Sequence, residues 1–184
     1  MEAALLDAAW AELSEAGYGA MTFDGVARRA GTSRSVVYRR WATKHELVLA
    51  AVQRYFESTP VEIPNTGSLR GDTVALLEDF SLKRSDVIAA FTIRLGAYFE
   101  ETGTSLAELR DALVNSFGRG SVMVPILARA AGRGEVDLTT ITPRVAHLPV
   151  DLLRNELLVS GPPSRETIES IVDDVFLPLV TRRT

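Results

Sequence analysis

The chain of 184 residues contains no cysteine. That excludes a disulfide framework, a thiolate metal site and a cysteine nucleophile, and it agrees with a reducing compartment. Histidine is nearly absent too: His45 and His147 are the only two. Catalysis built on imidazole therefore has little material. The motifs H-E-x-x-H and G-x-S-x-G do not occur. Glu100-Glu101 and Asp173-Asp174 are adjacent carboxylates, which point in different directions on a helix and make poor acid/base pairs. An enzyme is not expected, nor a cofactor or a metal. Long apolar runs are also missing. The longest, residues 122–128, includes Pro125 and falls far short of the roughly 20 residues of a membrane span. No basic segment precedes an apolar one at the N-terminus, where Glu2 and Asp7 flank Leu5-Leu6. A cytoplasmic protein without membrane association is expected.

What the chain does have is helical periodicity, with a hydrophobic content of 46% that supports a substantial core. An all-α fold follows. Helix 1 is expected over 2–16, with Leu5, Ala9 and Leu13 on one face and Gly17 and Gly19 ending it. Thr22 is placed to cap helix 2, with Asp24 in its first turn. Gly31 supplies a tight turn, Thr32 or Ser33 a cap, and helix 3 runs over about 34–41. Thr43-Lys44-His45-Glu46 is a capping box opening helix 4, which extends to about Ser58. Pro60 and Pro64 mark a linker and the boundary between a domain at 1–58 and one at 59–184. Further helices are expected over 69–82, 84–102, 104–132, 141–159 and 164–182. Breaks are expected near Gly118-Arg119-Gly120 or Pro125, and Pro149 makes the fourth of these helices kinked or late to start.

Charge is unevenly placed. The net charge is −4, yet residues 22–44 hold Arg28, Arg29, Arg34, Arg39, Arg40 and Lys44 against a single acid, Asp24. Such a local basic patch on an acidic body orients an encounter with nucleic acid. Two short helices about a tight turn, the second basic, form a helix-turn-helix. On helix 3 the spacing puts Arg34, Ser35, Tyr38 and Arg39 on one face, with Val37 and Trp41 opposite as anchors. Arginine can bond guanine O6 and N7 together, serine and tyrosine can reach phosphates or base edges, and Val36 can touch a thymine methyl. Lys44, with the N-terminus of helix 4, suits a phosphate, as does Thr22 with that of helix 2. The candidate DNA contacts are Thr22, Thr32, Ser33, Arg34, Ser35, Val36, Tyr38, Arg39, Arg40 and Lys44. The competing reading is a helical interaction module whose arginines only solubilise it; it predicts no salt-dependent affinity for duplex DNA.

The segment from Leu5 to Tyr55 resembles the DNA-binding domain of TetR-family transcriptional regulators. The resemblance rests on Gly17-Tyr18, Thr22, residues 26–33 (VARRAGTS), Tyr38, Trp41, Lys44 and Leu47. Trp41 stands where phenylalanine is commoner, and Thr32 where valine is. Many members carry a basic arm ahead of helix 1, whereas this chain starts almost inside that helix at Glu2. Residues 128–136 (ARAAGRGEV) are similar to a segment that ends a long central helix in many members.

The resemblance implies a ligand-responsive repressor, bound as a homodimer to a palindromic operator on double-stranded DNA and released by a small-molecule effector. By that likeness the last two helices form the dimer interface. Their apolar stripes are Leu148, Leu152, Leu153 and Leu157, then Ile168, Ile171, Val172, Val175, Phe176 and Leu179. The alternative is that both stripes pack into the chain's own core. The remaining segments would enclose a pocket, with Phe80, Phe91, Leu95, Tyr98, Phe117 and Met123 as apolar walls and Arg94, Asn115, His147 and Asp151 as polar groups.

Overall fold

In a computed structural model the chain is described over residues 1–94, 96–105, 108 and 122–181, with backbone only for 86–94 and 96–97. The described elements are α1 (Glu2–Ala20), α2 (Phe23–Arg29), α3 (Arg34–Tyr38), α4 (Lys44–Ser58), α5 (Leu69–Arg94) and α6 (Gly96–Thr102). Then follow α7 (Met123–Gly132), a 3-10 turn (Leu138–Thr140), α8 (Pro143–Val159), α9 (Arg165–Ser170), a π-helical segment (Ile171–Phe176) and α10 (Leu177–Val180). The only extended pairing among the described residues is an isolated antiparallel bridge between Val136 and Thr181. The fold is all-α, as expected.

The chain groups into two compact units, Met1–Pro60 with Ala89–Arg119, and Val61–Ile88 with Gly120–Thr184. The expected division is at 58/59; in this grouping the first sixty residues fall together, joined by the end of α5 and all of α6. In the first unit α1 packs against α4, α2 and α6, and α2 against α3. Its core is Leu5, Leu13, Tyr18, Met21, Val26, Val37, Leu47 and Val52, and it also includes Tyr98 of α6. Gly17 has φ 79° and ψ 169°, which breaks the helical path within α1 without ending it before Ala20. The left-handed conformation there is what glycine supplies at low cost.

The second unit has its own core, including Leu76, Leu77, Met123, Ile126, Leu153, Val172 and Phe176. Here the boundaries depart from expectation in three places. α5 runs through 83 as one helix to Arg94. Pro149 is buried inside α8, which begins at Pro143 behind its cap Thr142 and runs as one helix through the proline. The last helix widens to π geometry over Ile171–Phe176. Pro178 explains that widening: it has no N–H for the Asp174 carbonyl, and its ring would clash there in an α-helical turn. The expected breaks at 118–120 lie outside the described residues, and Pro125 sits in the first turn of α7.

The segment 128–136 is a fastening point. Arg129 and Arg133 approach the Asp72 carboxylate, at 3.7 and 3.6 Å. The other Asp72 oxygen accepts from the Thr66 hydroxyl at 2.9 Å and from the Thr66 amide. Glu135 accepts the Leu69 amide at 2.7 Å, which satisfies a donor at the start of α5. Burial works against the Glu135 charge, but Arg133 and the Leu69 amide outweigh it and hold the carboxyl below its ordinary value.

Candidate nucleic-acid interface

Local sequence sets the helix-turn-helix closely. Thr22 Oγ1 accepts the Gly25 amide at 3.0 Å, capping α2. A Cβ on Gly25 would lie 2.7 Å from Glu12 Oε2, so a larger residue there would have to displace the Glu12 carboxylate that pairs with Arg29. At the other end Gly31 has φ 66°. Its amide reaches the Arg28 carbonyl at 3.2 Å, and the Thr32 amide reaches the Ala27 carbonyl at 2.9 Å. Those two bonds are the Schellman pattern that closes a helix on a left-handed residue. Thr43 Oγ1 accepts the Glu46 amide at 3.2 Å, and Glu46 Oε2 accepts the Ala42 amide at 2.9 Å. The capping box thus reciprocates one residue earlier than its usual form.

α3 is short, ending at Tyr38, with Arg39 and Arg40 in the turn that follows. Val37 and Trp41 are buried, as their placement opposite the basic face predicted. Ser33 occupies the cap position, but its hydroxyl lies 2.9 Å from that of Ser35 and caps no amide. Val36 is half-buried against the first core, so it offers little of its methyl surface outward. Thr32 is half-buried in the turn, and Ser35 is exposed.

The basic residues of this face divide by what holds them. Arg34 Nη1 donates to Asp24 Oδ2 at 3.1 Å and Nη2 to the Tyr38 hydroxyl at 2.8 Å. Arg29 pairs with Glu12 and Glu15, and Arg40 with Glu2. Arg28 and Arg39 are exposed, and neither has an acidic partner among the described residues. Lys44 is engaged within its own domain. Its ammonium lies over the Tyr18 ring, 4.2 Å from the centroid, and 3.4 Å from the Gly19 carbonyl. Burial pushes its pKa below the ordinary lysine value, with Glu101 opposing that shift. As folded, Lys44 binds within its own domain, and a phosphate would compete for it. An open groove of about 420 Å³ gathers Met21, Thr22, Phe23, Asp24, Arg34, Tyr38, Ala42 and Lys44. It collects four of the expected contacts, from the start of α2, α3 and the start of α4. Thr22, Arg34, Tyr38 and Lys44 within it are groups that can meet a phosphate oxygen, while Asp24 opposes one.

Of the residues expected to line an effector pocket, the described ones are placed as follows. Tyr98 is fully buried in the first core, its ring 5.1 Å from that of Tyr18 and 5.2 Å from His45. Burial raises its hydroxyl pKa to about 12. Phe80 and Met123 are buried in the core of the second unit. His147 is exposed on α8, and Asp151 is exposed and accepts from Arg154 at 3.0 Å. Leu95, Asn115 and Phe117 lie outside the described residues, as do the side chains of Phe91 and Arg94.

The two stripes divide as well. Leu153, Leu157, Ile168, Ile171, Val172 and Phe176 are buried in the chain's own core, so they are not free for a partner. Leu148 and Leu152 are half-buried, while Val175 and Leu179 are exposed. Leu158 and Val159, which the stripe reading passed over, are exposed at the end of α8. Their places beside Leu157 in the helical repeat were the available signal.

These features define a class: a helix-turn-helix module that binds duplex DNA, carried by a larger helical body. Residues 5–51 match the family model for bacterial regulatory proteins of the tetR family. Residues 63–175 match that for the tetracyclin repressor-like C-terminal domain. The chain is 38% identical over 175 residues to an uncharacterised HTH-type transcriptional regulator of Mycobacterium tuberculosis, covering 94% of this chain and 84% of that protein. It is 32% identical to the DNA-binding transcriptional repressor TetR of Mycobacteroides abscessus, over 97% of this chain and 93% of the relative. A TetR-family regulator from Mesorhizobium loti shares the fold with a TM-score of 0.66 at 17% identity, over 98% of this chain and 96% of its own. The TetR regulator tylp of Streptomyces fradiae does so with a TM-score of 0.59 at 16% identity, over 97% and 85%. The chain belongs to the TetR family and is a DNA-binding transcriptional regulator. No described helix is long and apolar enough to cross a membrane.

Proposed function

We propose that the chain is a ligand-responsive repressor that binds a palindromic operator as a homodimer and leaves it when a small molecule binds. The groove bounded by Thr22, Arg34, Tyr38 and Lys44 is the observation that carries the DNA-facing half of this reading. It joins two helix N-termini to the basic face of α3. In the reading, Arg34 and Arg39 address base edges while Thr22, Tyr38 and Lys44 hold phosphates. The repressor assignment is supported by the Mycobacteroides abscessus relative, which is named as one. Exposed Val175 and Leu179 near the C-terminus support a partner protomer. A twofold pair of recognition helices then reads two half-sites.

Effector response is supported by Tyr98. It lies within the segment matching the C-terminal family model, yet packs on Tyr18 and His45 of the DNA-binding domain. A ligand that shifts α6 would disturb the start of α4. A coupling of roughly 1–3 kcal/mol is enough for regulation.

The test is binding to the duplex flanking the chain's own gene, run as a salt series beside random duplex. Selective, salt-dependent binding is expected. Arg34→Ala should remove about 1–3 kcal/mol of operator discrimination while leaving binding to random duplex less affected. Equal loss on both duplexes would remove Arg34 from the base-reading role. Sedimentation of the protein alone is expected to give a dimer, and a monomer that bound the full palindrome equally well would end the dimer claim.

A further inference from the structure

Asp24 is the only acid among residues 22–44, and it sits in the groove where phosphate oxygens are expected. Its charge opposes DNA. It also adds little as a stabilising pair, because its side chain is 58% exposed and that of Arg34 is 57% exposed. Its position does something else. Arg34 Nη1 is held by Asp24 at 3.1 Å, Nη2 by the Tyr38 hydroxyl at 2.8 Å, and the guanidinium carbon lies 4.9 Å from the Tyr38 ring centroid. Tyr38 is fixed in turn, edge-on to Phe23 with ring centroids 4.3 Å apart. Phe23 and Asp24 are neighbours in the first turn of α2, so one turn of helix positions both supports. Of five N–H donors on arginine, the two tethers use two. The Nε hydrogen and one on each Nη stay available, enough for the O6/N7 pair of guanine. An untethered arginine on a basic face would fold toward the nearest phosphate, a contact shared by every sequence.

We infer that Asp24 is a positioning residue for sequence discrimination: it holds Arg34 away from the phosphates and aimed at a base edge, and it lowers affinity for unspecific DNA. The inference rests on α3 being the base-reading helix.

The test uses the full chain and two probes, the duplex that wild type enriches from a randomised pool and a random-sequence duplex, each over a salt series. D24N should tighten binding to random duplex about two- to fivefold at low salt and steepen the salt dependence by about one ion, because Arg34 becomes a phosphate contact. The preference for the enriched duplex should fall about tenfold, within the range for one bidentate base contact. Y38F, which removes the second tether and keeps the ring, should fall part of the way. In an R34A background D24N should leave the preference unchanged. Thermal melts verify that each variant is folded, and D24E, which keeps the charge on a longer arm, should retain more preference than D24N. An unchanged preference in D24N, or an equal fall with and without Arg34, overturns the inference. The two levels separate cleanly. If R34A keeps full preference, the base-reading role of Arg34 is what fails, and the Asp24 inference falls with it. If R34A loses preference and D24N does not, only Asp24 is removed.

Discussion

The two units use charge in opposite ways. In the first, the arginines of the DNA face meet their acids at the surface: Arg29 with Glu12 and Glu15, Arg34 with Asp24, Arg40 with Glu2. In the second, the carboxylate of Asp72 is fully buried, with Arg129, Arg133 and Thr66 around it. Exposed pairs are worth about 0–1 kcal/mol, so DNA can open those of Arg29 and Arg40 at little cost, whereas Arg34 is held by Tyr38 as well as by Asp24. A buried carboxylate cannot be left alone, because removing its partners or itself strands desolvated charge and unmet hydrogen bonds. Arg34 apart, the paired arginines of the DNA face are therefore reversibly held. The Asp72 cluster is a fixed joint that ties the linker around Thr66 and the start of α5 to the end of α7.

The largest effect expected from breaking this contrast is at the joint. Asp72→Ala should destabilise the second unit by about 2–4 kcal/mol, somewhat below the range for a fully buried pair because both arginines reach solvent. Trp10 and Trp41, the only tryptophans, both lie in the first unit. Urea unfolding followed by circular dichroism should therefore shift more than unfolding followed by tryptophan fluorescence. Equal shifts by the two probes would mean the units unfold together. No shift would mean that Asp72 is not the joint described.

Much of the first unit was legible because its signals are local. Thr22, Gly31 and Thr43 with Glu46 announce helix ends through bonds that span three to five residues, and the structure makes them. The second set of signals is not local, and pattern reading missed it. Nothing near Tyr98 indicates that it enters the core of the DNA-binding domain, since its partners Tyr18 and His45 lie more than fifty residues away. Lys44 carries a sequence context for phosphate, yet its ammonium settles on a ring supplied by α1. Residues 128–136 were readable as a helix end, but their charged side chains find their partners at Asp72, Leu69 and Pro64, about sixty residues earlier. Pro178 was visible in the sequence; its consequence, a π segment, depends on the helix continuing through it rather than stopping.

A middle-sized effect comes from a local signal. Thr43→Ala removes the acceptor for the Glu46 amide at the start of α4 and should cost about 1 kcal/mol. Because the loss falls in the first unit, tryptophan fluorescence should report it. The same substitution loosens the turn that presents Lys44, so random-duplex affinity should fall modestly with it. A loss of stability well under half that size would mean that Glu46, through its bond to the Ala42 amide, holds the turn without Thr43.

The smallest effect separates exposure from location. Arg70 and Asp173 form a two-bond ion pair, both at 2.7 Å, in the same unit as Asp72. The pair is 47% and 38% exposed. If exposure governs, Asp173→Asn should cost under about 1 kcal/mol at pH 7 despite ideal geometry. Arg70 holds the Asp173 carboxyl below its ordinary value of 3.8. A depressed carboxyl contributes stability that is complete above its unfolded pKa and is lost as pH falls through the folded one. The difference between wild type and Asp173→Asn should therefore be constant from neutral pH down to about 5 and shrink below about 4. Urea midpoints across that range measure it. A cost at pH 7 as large as that of Asp72→Ala would show that the second unit, rather than burial, is what makes its carboxylates matter.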